Sequence, residues 1–390
     1  MLKGESMKTT YYFDNAATTF PKPEAVYSEM DSFYRDFGVN VGRGQHKLSS
    51  VANSKVEETR KLLLELFNCP NKKVVFSHTA TEALNLVLLN IVKKDCSVYI
   101  SPFEHNAVTR TLNALQQRYK FNIIVLPFDI NKWEYDYEKI EHLFGCNHPD
   151  VVVLSHASNV CGFINPYFEI FGRAKKYKAK TVLDMCQTAG LVETDLSTEY
   201  VDFAIFDGHK TLYGPLGIAG VVGSSFENFE PLIYGGTGVD SANLDMPSTI
   251  PIRFEAGSTN ILAISGLNAA LTWIKKIGVS NIRETENKNL RKLLDLLNQY
   301  SNIEIIAPKE GEKFIGVVSC VFKGYSSDNI GNILSENNIA VRTGLHCSPL
   351  AHQTLGTFPA GTVRFSIGYF NDEEDFASLE KVLEYIDENS

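Results

Sequence analysis

The sequence predicts an α/β fold, a large lobe with a mainly parallel sheet followed by a smaller α+β lobe. Through the middle of the chain, short β-rich runs alternate with helical patterns, the mark of strand–helix–strand crossovers. From residue 261 onward long amphipathic helices gather beside a few strands, an α+β arrangement. The chain has 390 residues, 44% of them hydrophobic, whereas single cores stop growing at about 250 to 300 residues. The expected division is an N-terminal arm over 1–20, a large domain over 21–260 and a small domain over 261–390, on which the N-terminal segment docks.

In chain order, a helix is expected around 23 to 37, then the strand KVVFS at 73–77 and the helix TEALNLVLLNIVKK. SVYIS at 97–101 leads into a helix from Glu104 to Tyr119. NIIVL at 122–126, DVVVLSH at 150–156, KTVLD at 180–184, DFAIF at 202–206 and GIAGVVG at 217–223 complete the apolar strands. Beyond ILAISGLNAALTWIKKIG come IEIIA, FIGVVSCVF, a helix near 326–336, IAVRTG, TVRFSIG and a closing acidic helix. There is no internal repeat and no low-complexity linker.

A net charge of −9 and the lack of any Lys/Arg-rich run argue against nucleic acid and for a small molecule or a protein as partner. Cys69, Cys96, Cys146, Cys161, Cys186, Cys320 and Cys347 form no CxxC pair, and MLKGESMKTTYYFDN has no apolar signal stretch. A reducing cytoplasm is the expected setting. No run approaches the ~18 apolar residues of a membrane span. Met7 is as good a start as Met1.

Open parallel sheets bind ligands beyond the carboxyl ends of their strands. Five such ends here carry polar groups: Thr79 to Glu82, Glu104 to Asn106, Ser155 to Asn159, Asp184 with Gln187, and His209 with Lys210. HTATEALN offers small residues and a hydroxyl where a phosphate meets helix amides; a Thr79 or Thr81 N-cap with Glu82 nearby is the ordinary alternative. Lys210 has an amine able to form an imine, and a carboxylate buried at Asp184 requires a partner such as a protonated pyridine nitrogen. Those are the demands of pyridoxal 5'-phosphate (PLP). His105 is either a helix-start residue or a ring that stacks on the cofactor and exchanges protons. Arg364 offers a planar fork for a carboxylate or makes a structural ion pair. Cys347, 17 residues earlier, is a nucleophile or a small buried hydrophobe. Together lysine, aspartate, cysteine and arginine point to an enzyme that takes sulfur from an amino acid.

DNAATTFPKP at 14–23, NVGRGQHKLS at 40–49, TATEALN at 79–85, EHNAV at 104–108, SNVCGFINP at 158–166, LDMCQTAG at 183–190, GHKTLYGPLGIAG at 208–220, RFEAGSTN at 253–260 and LHCSPLAH at 345–352 resemble the cysteine desulfurase and selenocysteine lyase family. That family belongs to the class V aminotransferase group of PLP fold type I, and the likeness runs from residue 12 to about 372. The resemblance implies Lys210 as the Schiff-base lysine, Asp184 as the partner of the pyridine nitrogen, Gln187 at the ring hydroxyl and His105 as the stacking base. It implies Ala80, Thr81 and His209 at the phosphate, with Ser258 from the other subunit of a homodimer. It further implies that Asn159 and Arg364 bind the substrate carboxylate, that Ala16, Ala17 and His46 lie near the substrate, and that Cys347 accepts the sulfur, with His346 expected to help form its thiolate. The implied reaction turns L-cysteine into L-alanine and passes a persulfide to an acceptor protein or thiol. Selenocysteine lyase, or another PLP-dependent C–S lyase or aminotransferase of this fold, is the alternative.

Two features depart from the family pattern. Asp207 stands where a hydroxyl residue commonly bonds the phosphate, so it is expected to point away, be protonated, or leave that task to Thr81, His209 and Ser258. LHCSPLAH differs from the better-known cysteine loops, and the loop from Thr343 to Leu350 is short. A short loop limits how far a persulfide travels, which predicts low turnover alone and stimulation by a docking acceptor.

Overall fold

The computed structural model describes residues 10–42, 44, 46–306 and 313–389; Met1 and Met7 lie outside them. The chain forms two compact units. The larger comprises Lys22–Ala157 and Asn165–Ile282; the smaller comprises the segment ending at Pro21, Ser158–Ile164 and Arg283–Ser390.

A seven-stranded sheet centres the larger unit, in the order Lys73–Ser77, Ala219–Gly223, Phe203–Asp207, Lys180–Asp184, Val151–Ser155, Ser97–Ile100, Asn122–Val125. Every neighbouring pair is parallel except those made by Ala219–Gly223. The central strands Val151–Ser155 and Phe203–Asp207 are buried at every position, which is why they read as continuous apolar runs rather than alternating ones. Fully burying each such Val, Leu, Ile or Phe contributes about 1.5 to 3 kcal/mol. Crossover helices bury their apolar faces on this sheet: Ala80–Ile91 packs on Phe203–Asp207 and Ala219–Gly223, and Tyr167–Lys175 on Val151–Ser155 and Lys180–Asp184. The strands and helices anticipated in the sequence are all present.

The boundary differs from the one expected at 260. The helix Ile261–Ile277 packs against Glu24–Phe37 and Lys47–Leu66 in the larger unit, and the division falls after Ile282. Small residues on this helix allow close approach: a Cβ at Gly266 would lie 2.8 Å from the Met30 side chain. The helix Glu24–Phe37 accordingly belongs to the larger unit, whereas the segment before it belongs to the smaller, where Tyr11–Tyr12 pairs in parallel with Ile339–Ala340.

The smaller unit holds a four-stranded antiparallel sheet, ordered Ile303–Ile306, Val317–Phe322, Thr362–Ser366, Arg342–Gly344. Phe13 packs edge-on to Phe365 and Phe376 in its core. The closing helix Glu373–Glu388 starts from a capping box between Asp372 and Asp375, which satisfies amides that a helix start leaves open. Among the described residues no helix is long and apolar enough to cross a membrane.

Candidate active site

In the larger unit the strand ends carry the groups anticipated there. Thr79, not Thr81, caps the helix Ala80–Ile91: its Oγ1 accepts the Glu82 N–H at 3.1 Å, and Glu82 accepts the His78 N–H at 3.2 Å. Capping therefore leaves the exposed Thr81 hydroxyl unspent on the first turn, over the buried Ala80, where amide N–H groups favour an anion.

His105 caps the helix Asn106–Gln116, with Nδ1 accepting from the Ala107 N–H at 3.0 Å. That bond assigns the lone pair to Nδ1, so a neutral ring carries its proton on Nε2. Beside it Glu104 is fully buried. Its Oε1 accepts from Ser101 Oγ at 2.5 Å and the Ser155 N–H at 2.7 Å, and its Oε2 from Ser155 Oγ at 3.0 Å. Burial raises the Glu104 pKa to about 7, and the nearby Asp184 charge adds to the rise while the hydrogen bonds oppose it.

Asp184 ends the strand Lys180–Asp184 and is 6% exposed, with Oδ1 accepting the Cys186 N–H at 2.9 Å. Gln187 follows it, also buried. Burial, reinforced by Asp184, pushes the Cys186 thiol well above its ordinary range, and burial takes Cys161 to about 11. Neither thiol is a ready nucleophile.

The strand Phe203–Asp207 runs into the turn that carries Lys210, which is half-buried. Gly208 donates to the Ile218 carbonyl at 2.9 Å, and a Cβ there would lie 2.6 Å from that oxygen, so only glycine fits. Tyr213 donates back to the Lys210 carbonyl at 2.8 Å. Asp207 Oδ2 lies 3.1 Å from His209 Nε2. Burial raises the Asp207 pKa, but the hydrogen bond to His209 and the Lys210 charge outweigh it and hold the pKa below the usual carboxylate value. Of the arrangements anticipated for Asp207, the pairing with His209 favours the ionised carboxylate over the protonated one.

His46 and Ser258 line a cleft of about 640 Å³ with Gly257 and Thr259; neither Thr81 nor Lys210 is among its lining residues. His46 also caps the helix Lys47–Leu66, with Nδ1 accepting the Ser49 N–H at 3.2 Å.

The smaller unit gathers a second set. Arg364, 1% exposed, donates from Nη2 to Asp14 Oδ1 at 2.6 Å and from Nη1 to the Asn159 carbonyl at 3.1 Å. Its buried Nε has no acceptor among the described residues, a deficit that a ligand carboxylate can relieve. Ala16 and Ala17 lie on the adjoining turn, donating to Ser366 Oγ at 2.8 Å and to the Asp14 carbonyl at 3.0 Å. Asn159 does more than was anticipated. Its Nδ2 donates to the His346 carbonyl at 2.7 Å, and its Oδ1 accepts from Ser348 Oγ at 2.7 Å. One side chain thereby fixes both neighbours of Cys347 and keeps one amide hydrogen for a ligand.

Cys347 is exposed between the buried His346 and Ser348, and both His346 and Cys347 adopt left-handed backbone, with φ of 47° and 58°. Such conformations are strained for these residue types and persist where the surroundings impose them. His346 is not the base expected beside the thiol. Burial, followed by the charges of Arg364, His352 and Arg342, lowers its pKa to about 2, and its Nε2 lies 2.9 Å from Thr362 Oγ1. The cation near sulfur is Arg342, with Nη2 at 3.8 Å from Cys347 Sγ. Sequence reasoning missed it, although an arginine five residues before the cysteine, on a short β run, was a visible signal.

A family model described as Aminotransferase class-V matches residues 11–379. A protein of Pyrococcus abyssi described as "Probable cysteine desulfurase" is 32% identical over 96% of this chain and 93% of its own length. A Pseudomonas putida protein with the same description is 30% identical over 96% and 94%. Among solved structures, the apo structure of a cysteine desulfurase from Thermococcus onnurineus superposes with a TM-score of 0.89 at 30% identity, over 98% of this chain and 95% of that one.

Proposed function

The chain belongs to the aminotransferase class-V family, and from that membership we propose that it is a PLP-dependent cysteine desulfurase. The observation that carries the reading is the exposed Cys347, held between two residues that Asn159 fixes, in the unit that contains Arg364 with its unpaired Nε.

The residues of the larger unit fit PLP. Lys210 would hold its aldehyde carbon, the buried Asp184 its pyridine nitrogen, Gln187 its ring hydroxyl and His105 its ring face; Ala80, Thr81 and His209 would hold its phosphate. The narrow Gly208 turn and the unspent Thr81 hydroxyl support this assignment. When bound, PLP supplies an electron sink for the substrate α-carbon.

The chain's own groups do the remaining work. Arg364 and the second amide hydrogen of Asn159 orient the substrate carboxylate, with Ala16, Ala17 and His46 near it. Lys210 Nζ moves the α-proton, and His105 exchanges a proton through Nε2. The Cys347 thiolate attacks the substrate sulfur: an S–S bond forms, the Cβ–S bond breaks, and the carbon skeleton leaves as alanine after proton uptake. Arg342 Nη2, 3.8 Å from Cys347 Sγ, is the charged group placed beside the attacking sulfur. The persulfide then passes to a thiol on an acceptor protein. A homodimer to which Ser258 contributes, and a cytoplasmic setting, belong to the same proposal.

The test is anaerobic incubation of PLP-loaded protein with L-cysteine and a reducing thiol, following alanine and sulfide together. Equal amounts of both, lost in Cys347→Ser, support the reading. Pyruvate and ammonia in their place indicate another lyase, and a far larger kcat/KM on selenocysteine indicates selenocysteine lyase.

A further inference from the structure

A second lysine reaches the Lys210 turn, and no role above uses it. Lys22 begins the larger unit, directly before the helix Glu24–Phe37. Its Nζ donates to the backbone carbonyl of His209 at 2.6 Å, across 187 residues of sequence. Burial lowers the Lys22 pKa to about 7, and the charge opposing that fall is Asp207. The carboxylate is buried as well, at 7% exposure, and it is already paired to His209 Nε2. One strand end therefore holds a desolvated amine and a desolvated carboxylate, each costly to charge alone, and the carboxylate favours the protonated amine.

The pairing matters because of what the same strand end is proposed to hold. An ionised carboxylate three residues before Lys210 repels any anionic ligand group brought to His209. In its protonated form, which the Asp207 carboxylate favours, the Lys22 amine on the His209 carbonyl offsets that repulsion without occupying the ligand's place. We infer that Lys22 is a positioning residue of the cofactor turn: through the His209 carbonyl it serves as the counter-cation of Asp207, which makes this carboxylate compatible with a phosphate group at the same strand end. The inference rests on the PLP reading above.

The test is a double-mutant cycle read by equilibrium dialysis of apo protein against PLP, with the melting temperature of each apo variant recorded alongside. Lys22→Met should raise the PLP Kd about tenfold or more, and Lys22→Arg, which keeps the cation, should stay within about threefold of wild type. In the Asp207→Ser background, Lys22→Met should change Kd by less than about threefold, because no carboxylate remains to be offset. Equal weakening by Lys22→Met in both backgrounds, with a matching fall in apo melting temperature, would assign Lys22 a purely structural role and overturn the inference. No weakening in either background would overturn it too. Failure of the wild type to bind PLP would remove the PLP reading itself, whereas wild-type binding without coupling sinks the inference alone.

Discussion

Replacing Glu104 by Gln removes a titrating group from a place water does not reach while keeping its shape. The fully buried carboxyl has its pKa raised from 4.5 to about 7, chiefly by burial. The folded protein therefore holds a proton that the unfolded chain releases above pH ~4.5. That contribution to stability is fully present below pH ~4.5 and is lost as pH rises through about 7, where folding must accommodate a buried anion. A rise of this size corresponds to about 3 kcal/mol. Glutamine does not titrate; its oxygen still accepts from the Ser101 hydroxyl and the Ser155 N–H, and its amide nitrogen can donate to the Ser155 hydroxyl, which rotates to receive it. Glu255, likewise raised to about 7 by burial, is present in both proteins and cancels in the comparison. Urea midpoints measured between pH 5 and 8 with PLP held saturating should show the variant gaining on the wild type by up to about 3 kcal/mol across that range. Parallel pH profiles for the two proteins would refute the buried-acid account of Glu104.

Asn159→Ala removes two short side-chain hydrogen bonds that fix the residues on either side of Cys347, each worth about 1 kcal/mol. Alanine formation should fall at least about tenfold in kcat while the PLP Kd is unchanged, since the groups proposed to hold PLP lie in the other unit; unchanged turnover would count against the bracket. Arg342→Ala removes the cation 3.8 Å from Cys347 Sγ. Iodoacetate, an anion that the guanidinium attracts, should then modify Cys347 several-fold more slowly at low salt, and the difference should shrink at about 1 M salt, where exposed charges are screened. A deficit that ignores salt would point to packing instead.

Local pattern made much of this molecule legible. Continuous β-rich runs marked the buried strands, because a parallel sheet covered on both faces needs apolar residues at every position. The positions of Asp184, His105 and Lys210 at or just after the ends of such runs marked the sheet edge proposed to hold the ligand, because an open sheet offers its crevice there. Groups that act through distant partners were not legible. Nothing near Lys22 in the chain announces a carbonyl 187 residues away, and nothing in EHNAV says that Glu104 is sealed from water while His105 beside it is not. His346 looked like a base from its place beside Cys347, yet burial, with the Arg364 and Arg342 charges nearby, leaves it too weak a base for that role. The helix Ile261–Ile277 looked like the start of the second lobe, yet it packs in the first. Strand and helix identity follow from side-chain periodicity and backbone preference, which are properties of neighbours in sequence. Burial, ionisation state and membership of a packed unit depend on which distant atoms exclude water, and only the folded chain brings those atoms together.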